Sequence, residues 1–360
     1  MRSVKKKFNQ HRALIPLIFF ILLSCSLNSE KNGELNVAGN FSIQDLKERE
    51  IFEFRTDDTH LYAGTSKGLV RFGLSTALHN PQIYMANGEV RTFLILEDNF
   101  WLISAGFENK DSTSMYKSTD QGQSWIPYNN GFGGDKKWVP GTMDVTGGNP
   151  PVIFARSYPV LNVARSIDKG KTWESVLHSW DNPFLGTSMF VKIDVDNPEI
   201  IWAGGSNAFF EPNLVRSEDS GENWEVKNLQ IYEDQTYESK ANDIVIQFGA
   251  SSHVLLGLGI GILKSTDNGE TWNLVFDKAG ILTFAHSARD PGVVYASGVN
   301  TAGTLFFLAS DDFGDTWQTV EFSDSPAQMQ VNDMVSVLEN GKEVLYFATN
   351  QGVYSYTFEE

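Results

Sequence analysis

Cysteine is almost absent from this 360-residue chain, in which Cys25 is the single copy. A lone cysteine excludes a fold braced by intrachain disulfides. The six histidines are scattered, without the i,i+2 or i,i+4 pairs that bind zinc, so the sequence predicts no metal site. Because no glycine-rich loop carries the lysine and hydroxyl residue of a phosphate site, we also predict no cofactor.

Basic residues are few as well, with 28 Lys+Arg against 45 Asp+Glu and a formal net charge of −17. A surface this negative repels phosphate, and no basic patch follows residue 12, so nucleic-acid binding is excluded. The 41% hydrophobic content is that of a globular protein. With 31 Gly and 12 Pro the chain is rich in turns, which favours many short strands over long helices.

Residues 1–25 have the pattern of a targeting segment, with basic residues before an apolar run at 13–23 that is too short to span a bilayer as a stable helix. The run ends in Leu22-Leu23-Ser24-Cys25, which resembles the lipobox of bacterial lipoproteins. In that family the chain is cut before the cysteine, which is then acylated. The alternatives are an ordinary signal peptide with a chance cysteine, and an uncleaved anchor.

The lipoprotein resemblance implies a membrane anchor on Cys25 and a location in the bacterial cell envelope, either periplasmic or on the cell surface. Residues 26–34, SLNSEKNGE, are polar and are predicted to form a flexible tether. Residues 35–360 are then the folded part.

The strongest pattern is an internal repeat, S-x-D-x-G-x-x-W, present five times with successive aspartates 48, 51, 48 and 45 residues apart. Its defining residues are Asp120, Gly122, Trp125; Asp168, Gly170, Trp173; Asp219, Gly221, Trp224; Asp267, Gly269, Trp272; and Asp312, Gly314, Trp317. These segments resemble the Asp-box, or BNR, repeat of sialidases, sortilins, xyloglucanases and photosystem II assembly-factor propellers. In those families the box is the turn between the third and fourth strands of a propeller blade.

The chemistry of the repeat suits a turn. An aspartate can accept backbone N–H bonds, glycine supplies a positive φ, serine adds a local hydrogen bond and tryptophan packs on the next layer. One copy in each blade spreads the aspartates around a ring, where they cannot converge on one substrate. We therefore predict that they are structural rather than catalytic or metal-binding.

Two further segments, 60–71 and 344–354, keep the frame of the repeat without its box. Seven units of about 46 residues then fill positions 36–360. The sequence predicts an all-β fold, a single seven-bladed β-propeller of four-stranded blades, with six blades as the alternative. Because the chain ends after the third strand of its last unit, residues 35–43 are expected to supply the missing strand and close the ring.

In Asp-box propellers ligands usually meet the face opposite the boxes. It is built by loops between second and third strands and by the connections between blades. Here those loops are rich in aromatic side chains, which suit sugar rings and partner side chains equally. The candidate ligand-binding residues are Trp138, Tyr158, Trp180, Phe209, Phe210, Tyr232 and Tyr237. The alternative is that several of them plug the tapered funnel of the propeller.

Catalytic candidates are fewer. The sialidase resemblance implies three arginines on the substrate carboxylate, but the Phe-Arg-Ile-Pro motif is missing and the nearest string is Phe54-Arg55-Thr56-Asp57. Xyloglucanases use two carboxylates between two tandem propellers, and this chain has room for one propeller. Asp144, Asp243 and Arg156 remain as candidates, with Asp333 as a further acid. The alternative interpretation is that these acids are solvated residues at strand ends.

The resulting hypothesis is a monomeric, membrane-anchored extracytoplasmic propeller that acts as a binding or assembly scaffold for a protein or glycan. The alternative is a glycoside hydrolase of the cell envelope, sialidase-like or another exo-glycosidase. An enzyme needs convergent carboxylates in a pocket, one of them with a raised pKa, whereas a scaffold needs only a complementary face.

Overall fold

The computed structural model describes residues 35, 37, 39–43, 46–57, 59–74, 81–85, 88–97, 99–107, 114–128, 139–148, 150–158, 162–178, 187–207, 211–229, 239–300, 302–322 and 328–359. The chain divides into two units, Met1–Glu34 and Leu35–Glu360, and all of these residues belong to the second. The predictions of a signal peptide, of lipidation at Cys25 and of a tether lie outside the described residues. Within the described part, no helix is long and apolar enough to cross a membrane.

The described residues form 28 strands: β1 (Gly39–Ile43), β2 (Ile51–Thr56), β3 (His60–Thr65), β4 (Gly68–Gly73), β5 (Gln82–Tyr84), β6 (Gly88–Glu97), β7 (Phe100–Phe107), β8 (Ser114–Ser118), β9 (Ile126–Pro127), β10 (Val139–Val145), β11 (Ile153–Tyr158), β12 (Asn162–Ser166), β13 (Glu174–His178), β14 (Thr187–Ile193), β15 (Ile201–Ser206), β16 (Pro212–Ser217), β17 (Glu225–Val226), β18 (Ala241–Gln247), β19 (Ala250–Leu258), β20 (Gly261–Ser265), β21 (Asn273–Phe276), β22 (Gly280–His286), β23 (Val294–Val299), β24 (Leu305–Ser310), β25 (Gln318–Glu321), β26 (Val331–Glu339), β27 (Lys342–Thr349) and β28 (Gly352–Phe358).

These strands form seven four-stranded antiparallel sheets, one for each blade of a propeller. Blades 1 to 6 are β2–β5, β6–β9, β10–β13, β14–β17, β18–β21 and β22–β25, and blade 7 has the order β1-β28-β27-β26. The innermost strands β2, β6, β10, β14, β18, β22 and β26 pack against one another in a closed ring. They enclose a space that we call the central channel. The prediction of seven blades is confirmed, and the six-bladed alternative is wrong.

Closure of the ring uses both ends of the folded unit. Strand β1 pairs with β28 in antiparallel register from Gly39↔Phe358 to Ile43↔Tyr354. The N-terminal strand thus completes the last blade, as the sequence predicted.

The apolar core lies between blades. One cluster joins Phe190 and Trp202 of blade 4 to Ile244 and Leu256 of blade 5, and comparable clusters fill the neighbouring gaps. The second strand of a blade is covered on both faces, and all six residues of β15 are buried. This double burial explains why the second strands are continuous apolar runs instead of alternating patterns.

Candidate functional site

Five turns follow β8, β12, β16, β20 and β24 and contain the S-x-D-x-G-x-x-W segments; we call them the repeat turns. In each, the serine hydroxyl donates to the aspartate and accepts the N–H of the glycine, at 2.8 Å for both bonds in Ser217–Gly221. The glycines have φ between 79° and 88°, so a side chain would be strained there. Trp173, Trp224 and Trp272 each donate an indole N–H to the carbonyl of their turn glycine at 3.0 Å.

The repeat-turn aspartates are occupied within their own turns. Asp267 accepts the Thr271 N–H at 2.9 Å on Oδ1 and the Thr271 hydroxyl at 2.6 Å on Oδ2. The same pattern holds Asp120, whose pKa falls to about 2 because the Ser124 and Ser118 bonds favour the ionised carboxylate. With their lowered pKa, the carboxylates of Asp120 and Asp267 have no proton to offer near neutral pH, and each bonds within its own turn.

A second set of polar side chains lies on the innermost strands, and it ties neighbouring blades together. Each of these strands has a β-bulge near its start, and the residue just after the bulge is Glu53 in β2, Thr92 in β6, Asp243 in β18 and Asp333 in β26. Each of these side chains accepts a backbone N–H from the innermost strand of the next blade. A buried N–H needs such a partner, so the contacts stabilise the ring.

We call these contacts channel staples. The acceptors and donors are Asp333 with Phe54 N at 2.7 Å, Glu53 with Phe93 N at 3.2 Å, Thr92 with Met143 N at 3.1 Å, Asp144 with Ile193 N at 2.8 Å and Asp243 with Phe284 N at 3.0 Å. Among the described residues they serve five of the seven junctions between blades. Asp144 lies two residues beyond the post-bulge position but performs the same role.

Two cations sit among these acids. Arg55 donates to Glu53 in its own strand at 2.6 Å and to the Met143 carbonyl of blade 3 at 2.5 Å, and its Nη1 lies 4.0 Å from Asp144. Burial opposes the charge of Arg55, yet the neighbouring carboxylates, Glu53 foremost, raise its pKa above the ordinary value. Lys192 of blade 4 places its Nζ 3.6 Å from Asp243, which is the main reason that the pKa of Lys192 is raised.

Asp333 is the acid whose ionisation is most disturbed. Removal from bulk water raises its pKa to about 7, although the Phe54 N–H and Lys192 favour the charged form; Glu53 and Asp243 add repulsion. A raised pKa among other carboxylates is a feature of catalytic acids. Here, however, Oδ2 accepts the Phe54 N–H and Oδ1 accepts the N–H of Met334 at 2.8 Å, so both oxygens are already engaged.

The structure brings two of the three catalytic candidates into this network. Asp144 and Asp243 both line the channel, and Asp243 is only 7% exposed, so the interpretation of it as a solvated strand-end acid is wrong. The third candidate, Arg156, lies within β11 opposite Thr142, with its guanidinium over Gly141.

Three charged channel residues, Glu53, Arg55 and Lys192, were not among the predicted site residues. Their signal was a charged residue inside an apolar first strand, as in Ile51-Phe-Glu-Phe-Arg55. The structure does not test the predicted aromatic ligand residues. Trp138, Trp180, Phe209, Phe210, Tyr232 and Tyr237 lie outside the described residues, as does the side chain of Tyr158.

One pocket in the described structure, of about 230 Å³, opens at an end of the central channel between blades 4, 5 and 6. Its walls are the C-terminal ends of three innermost strands and the turns that follow them. The lining residues are Asp144, Lys192, Ile193, Asp194, Val195, Asp196, Ile244, Val245, Ile246, Gln247, Phe248, Phe284, Ala285 and His286. First and third strands of a blade run in the same direction, so this pocket lies on the face of the repeat turns, not on the face that we predicted for ligands.

His286 and Phe248 form an aromatic pair at the pocket, with ring centroids 3.9 Å apart. The His286 Nε2 lies 3.0 Å from the Ile246 carbonyl, and burial, aided by the charge of Lys192, lowers its pKa to about 4. The imidazole is therefore neutral at neutral pH. Phe248 is 40% exposed and Val195 is 76% exposed, so two apolar side chains face solvent beside the opening.

Comparisons with known proteins place the fold. No protein-family model matches the chain, and no curated protein matches it in sequence. The solved structure of YCF48 bound to D1 peptide is similar, with a TM-score of 0.62 and 18% identity over 89% of this chain and 97% of the other. So are a Niastella koreensis GH74 enzyme, with a TM-score of 0.59 and 15% identity over 85% of this chain and 43% of the other, and the extracellular domain of a protein described as a hybrid two component system from B. thetaiotaomicron, with 0.63 and 12% over 88% and 40%. At these identities the likeness establishes a shared seven-bladed propeller fold.

Proposed function

We propose that this protein is a non-catalytic binding propeller, a rigid scaffold whose ligand is a protein or peptide. The observation that carries the proposal is the state of the channel carboxylates. Glu53, Asp144, Asp243 and Asp333 all hold a backbone N–H of the next blade. A carboxylate that serves as general acid or nucleophile must instead present a free oxygen to the substrate.

The similar structures support a protein ligand without establishing one. YCF48 was solved with a bound peptide, and the similarity extends over nearly the whole YCF48 chain. In the GH74 enzyme the matched part is less than half of that chain. An exposed apolar pair, Val195 and Phe248, beside a pocket is the arrangement expected at a protein-binding surface.

Three finer assignments belong to the same proposal. The repeat turns are Asp-boxes, and the protein is a divergent member of the sialidase, sortilin and xyloglucanase propeller superfamily; all five turns have the serine-to-aspartate bond that suits such a turn. The protein is a lipoprotein anchored through Cys25 in a bacterial cell envelope, and it acts there as a monomer. Replacement of Cys25 by Ser tests the anchor, because the variant should leave the membrane fraction; a variant that stays there contradicts lipidation.

A glycoside hydrolase is the second candidate. It is favoured by Asp333, which has a pKa of about 7 and has Glu53 and Asp243 as neighbouring acids. Catalysis would require the substrate to enter the channel and displace a staple from one of these acids.

The test is a screen of the purified full-length protein, in mild detergent, for hydrolysis and for retention on glycan and peptide panels. We expect retention of a peptide or protein with no turnover, unchanged in Asp333→Asn. Turnover that Asp333→Asn abolishes, while the folded content stays the same, would replace the proposal with the hydrolase. Retention on glycans alone would keep the scaffold role and exclude a protein ligand.

A further inference from the structure

The pocket between blades 4, 5 and 6 contains a carboxylate whose bonding is incomplete. Asp194 begins the turn after β14 and is 1% exposed in the pocket wall. Its Oδ1 accepts the N–H of Asp196 at 2.8 Å and of Asn197 at 3.2 Å. Within the described part of the chain, no hydrogen-bond donor reaches its Oδ2. A buried carboxylate oxygen without a donor is costly, so this one needs an explanation.

The equivalent turns of two other blades show that the spare oxygen is not needed to build the turn. In blade 6, Ser287 begins the turn, and its single hydroxyl accepts the N–H of Arg289 at 3.1 Å and of Asp290 at 3.0 Å. In blade 1, Asp57 holds the turn with Oδ1, and its Oδ2 accepts the Tyr62 hydroxyl at 2.9 Å. A serine is sufficient, and where an aspartate is used its second oxygen finds a donor.

Blade 4 lacks that internal donor. The residue equivalent to Tyr62 is Trp202, which has no hydroxyl, and its indole N–H likewise has no acceptor among the described residues. Blade 4 therefore keeps an acid where serine would serve, without the tyrosine that would complete it. The donor that completes Asp194 must come from outside the described fold.

The surroundings define the chemistry of that donor. The pocket walls carry three acids, Asp144, Asp194 and Asp196, against Lys192, which is paired with Asp243. His286 is neutral at neutral pH because its pKa is about 4. The site therefore favours a cation. Each neighbouring acid has bonds of its own, Asp196 through the Gly249 N–H at 2.6 Å and Asp144 through Ile193, which leaves Asp194 as the anchor.

The shape and the apolar walls favour a long side chain over a free metal ion. A cavity of about 230 Å³ is far larger than the roughly 30 Å³ that one water molecule occupies, and it has room for one extended side chain. Ile193, Ile244 and Phe284 can cover a methylene stem, and the Phe248–His286 pair offers a flat surface for a planar cation. A guanidinium can donate one N–H to Oδ2 of Asp194 while its planar face stacks on the aromatic pair, whereas a compact ammonium has no flat face to stack.

We infer that this pocket receives an arginine side chain of the partner polypeptide, with Asp194 as its acceptor and Phe248 as its stacking surface. The inference rests on the proposed function and names the chemistry that its partner presents. It also places the interface on the face of the repeat turns, around the mouth of the channel.

The probe is the peptide acetyl-Gly-Gly-Arg-Gly-Gly-amide, titrated into the full-length protein by ligand-observed NMR. The matched peptide has citrulline, which keeps the shape but not the charge. We expect the arginine peptide to bind at least tenfold more tightly than the citrulline peptide. Asp194→Ser, which keeps the turn as Ser287 does in blade 6, should remove this preference.

Two further variants complete the test. Asp57→Ser makes the same change in a turn remote from the pocket and should leave peptide binding unchanged. Phe248→Ser alters an exposed residue and should weaken the arginine peptide severalfold, which keeps the inference testable if Asp194→Ser fails to fold. Equal affinity for the two peptides, no binding of either, or full binding by Asp194→Ser would overturn the inference.

The proposed function fails separately from this inference. A protein ligand that wild type and Asp194→Ser capture equally would leave the scaffold role standing and exclude the pocket. Glycan hydrolysis by the wild type would remove the scaffold role, whatever the peptides show.

Discussion

The repeat turns and the channel staples both provide hydrogen-bond partners for polar groups in a sheet protein. They differ in how far apart along the chain the bonded residues lie. In a repeat turn the side-chain bonds of the serine and the aspartate reach no farther than four residues, as in the 2.8 Å bond from Ser265 to Asp267. In the channel, Asp333 holds the N–H of Phe54, 279 residues away in the chain. The serine and aspartate bonds repeat from blade to blade because they involve residues of one turn only. The residues of the channel staples vary because each contact joins two blades.

The difference explains which residues carry individual character. The serine, aspartate and glycine of the repeat turns make the same bonds in all five blades, so these residues report the fold and nothing more specific. The channel has Glu, Thr, Asp and Asp at the post-bulge positions of β2, β6, β18 and β26, together with Arg55 and Lys192 at other positions. Its end at blades 4 to 6 is where a buried acid, an aromatic pair and exposed apolar side chains meet.

The largest effect should come from a repeat-turn tryptophan. Trp272 is 7% exposed and bonded through its indole N–H, so Trp272→Ala should lower the free energy of unfolding by about 3–5 kcal/mol. Trp125 is less buried, and no acceptor for its indole N–H lies in the described part, so Trp125→Ala should cost less. Denaturant unfolding of both variants measures the difference. Equal losses in the free energy of unfolding would show that the burial of a turn tryptophan does not set its contribution to stability.

Loss of a channel staple should come next. Asp243→Ala leaves the Phe284 N–H without its acceptor and Lys192 without its ion-pair partner, which should cost about 2–3 kcal/mol. The control is Glu89→Ala, which breaks an ion pair to Arg91 at a site where the two side chains are 35% and 55% exposed. That change should cost less than about 1 kcal/mol. If the two variants unfold alike, the channel acids do not stabilise the ring.

The serine of a repeat turn should have a smaller and uniform effect. Ser265→Ala removes the bonds to Asp267 and to the Gly269 N–H, at a cost of about 1 kcal/mol. The same substitution at Ser166 and at Ser310 should give the same shift of the melting temperature, since their bonds match. Costs that differ widely between blades would remove the contrast between repeated and individual chemistry.

The last prediction concerns how stability changes with pH rather than its value at a single pH. The pKa of Asp333 is about 7 in the folded protein and near 3.8 in an unfolded chain, so the folded state binds the extra proton between these values. Stability contributed by this group is therefore lost as pH rises from about 4 to about 7. In Asp333→Asn that loss should be absent, and its melting temperature relative to wild type should rise from pH 5 to pH 8. The opposite trend from His286, whose pKa is lowered to about 4, is common to both proteins and cancels in the comparison.

The sequence contained the fold almost completely, because each blade repeats its local signals. The frame around each S-x-D-x-G-x-x-W segment was sufficient to count seven blades and to locate the strand that closes them. The site was less accessible. Asp194 stands out only because Trp202 occupies the position at which blade 1 has Tyr62, the hydroxyl donor to Asp57. No spacing along the chain indicates that comparison. The pocket also lies on the face opposite the predicted one. Its walls include three turns from different blades, which come together only in the closed ring.

The most direct test of the channel staples is amide hydrogen exchange resolved to single residues at Phe54, Phe93, Met143, Ile193 and Phe284. If the channel side chains hold the blades together, these five N–H groups exchange slowly in wild type, and Asp243→Ala accelerates Phe284 far more than the other four. Fast exchange of the five in wild type would contradict the account. It would mean that the channel carboxylates have oxygens free for other chemistry.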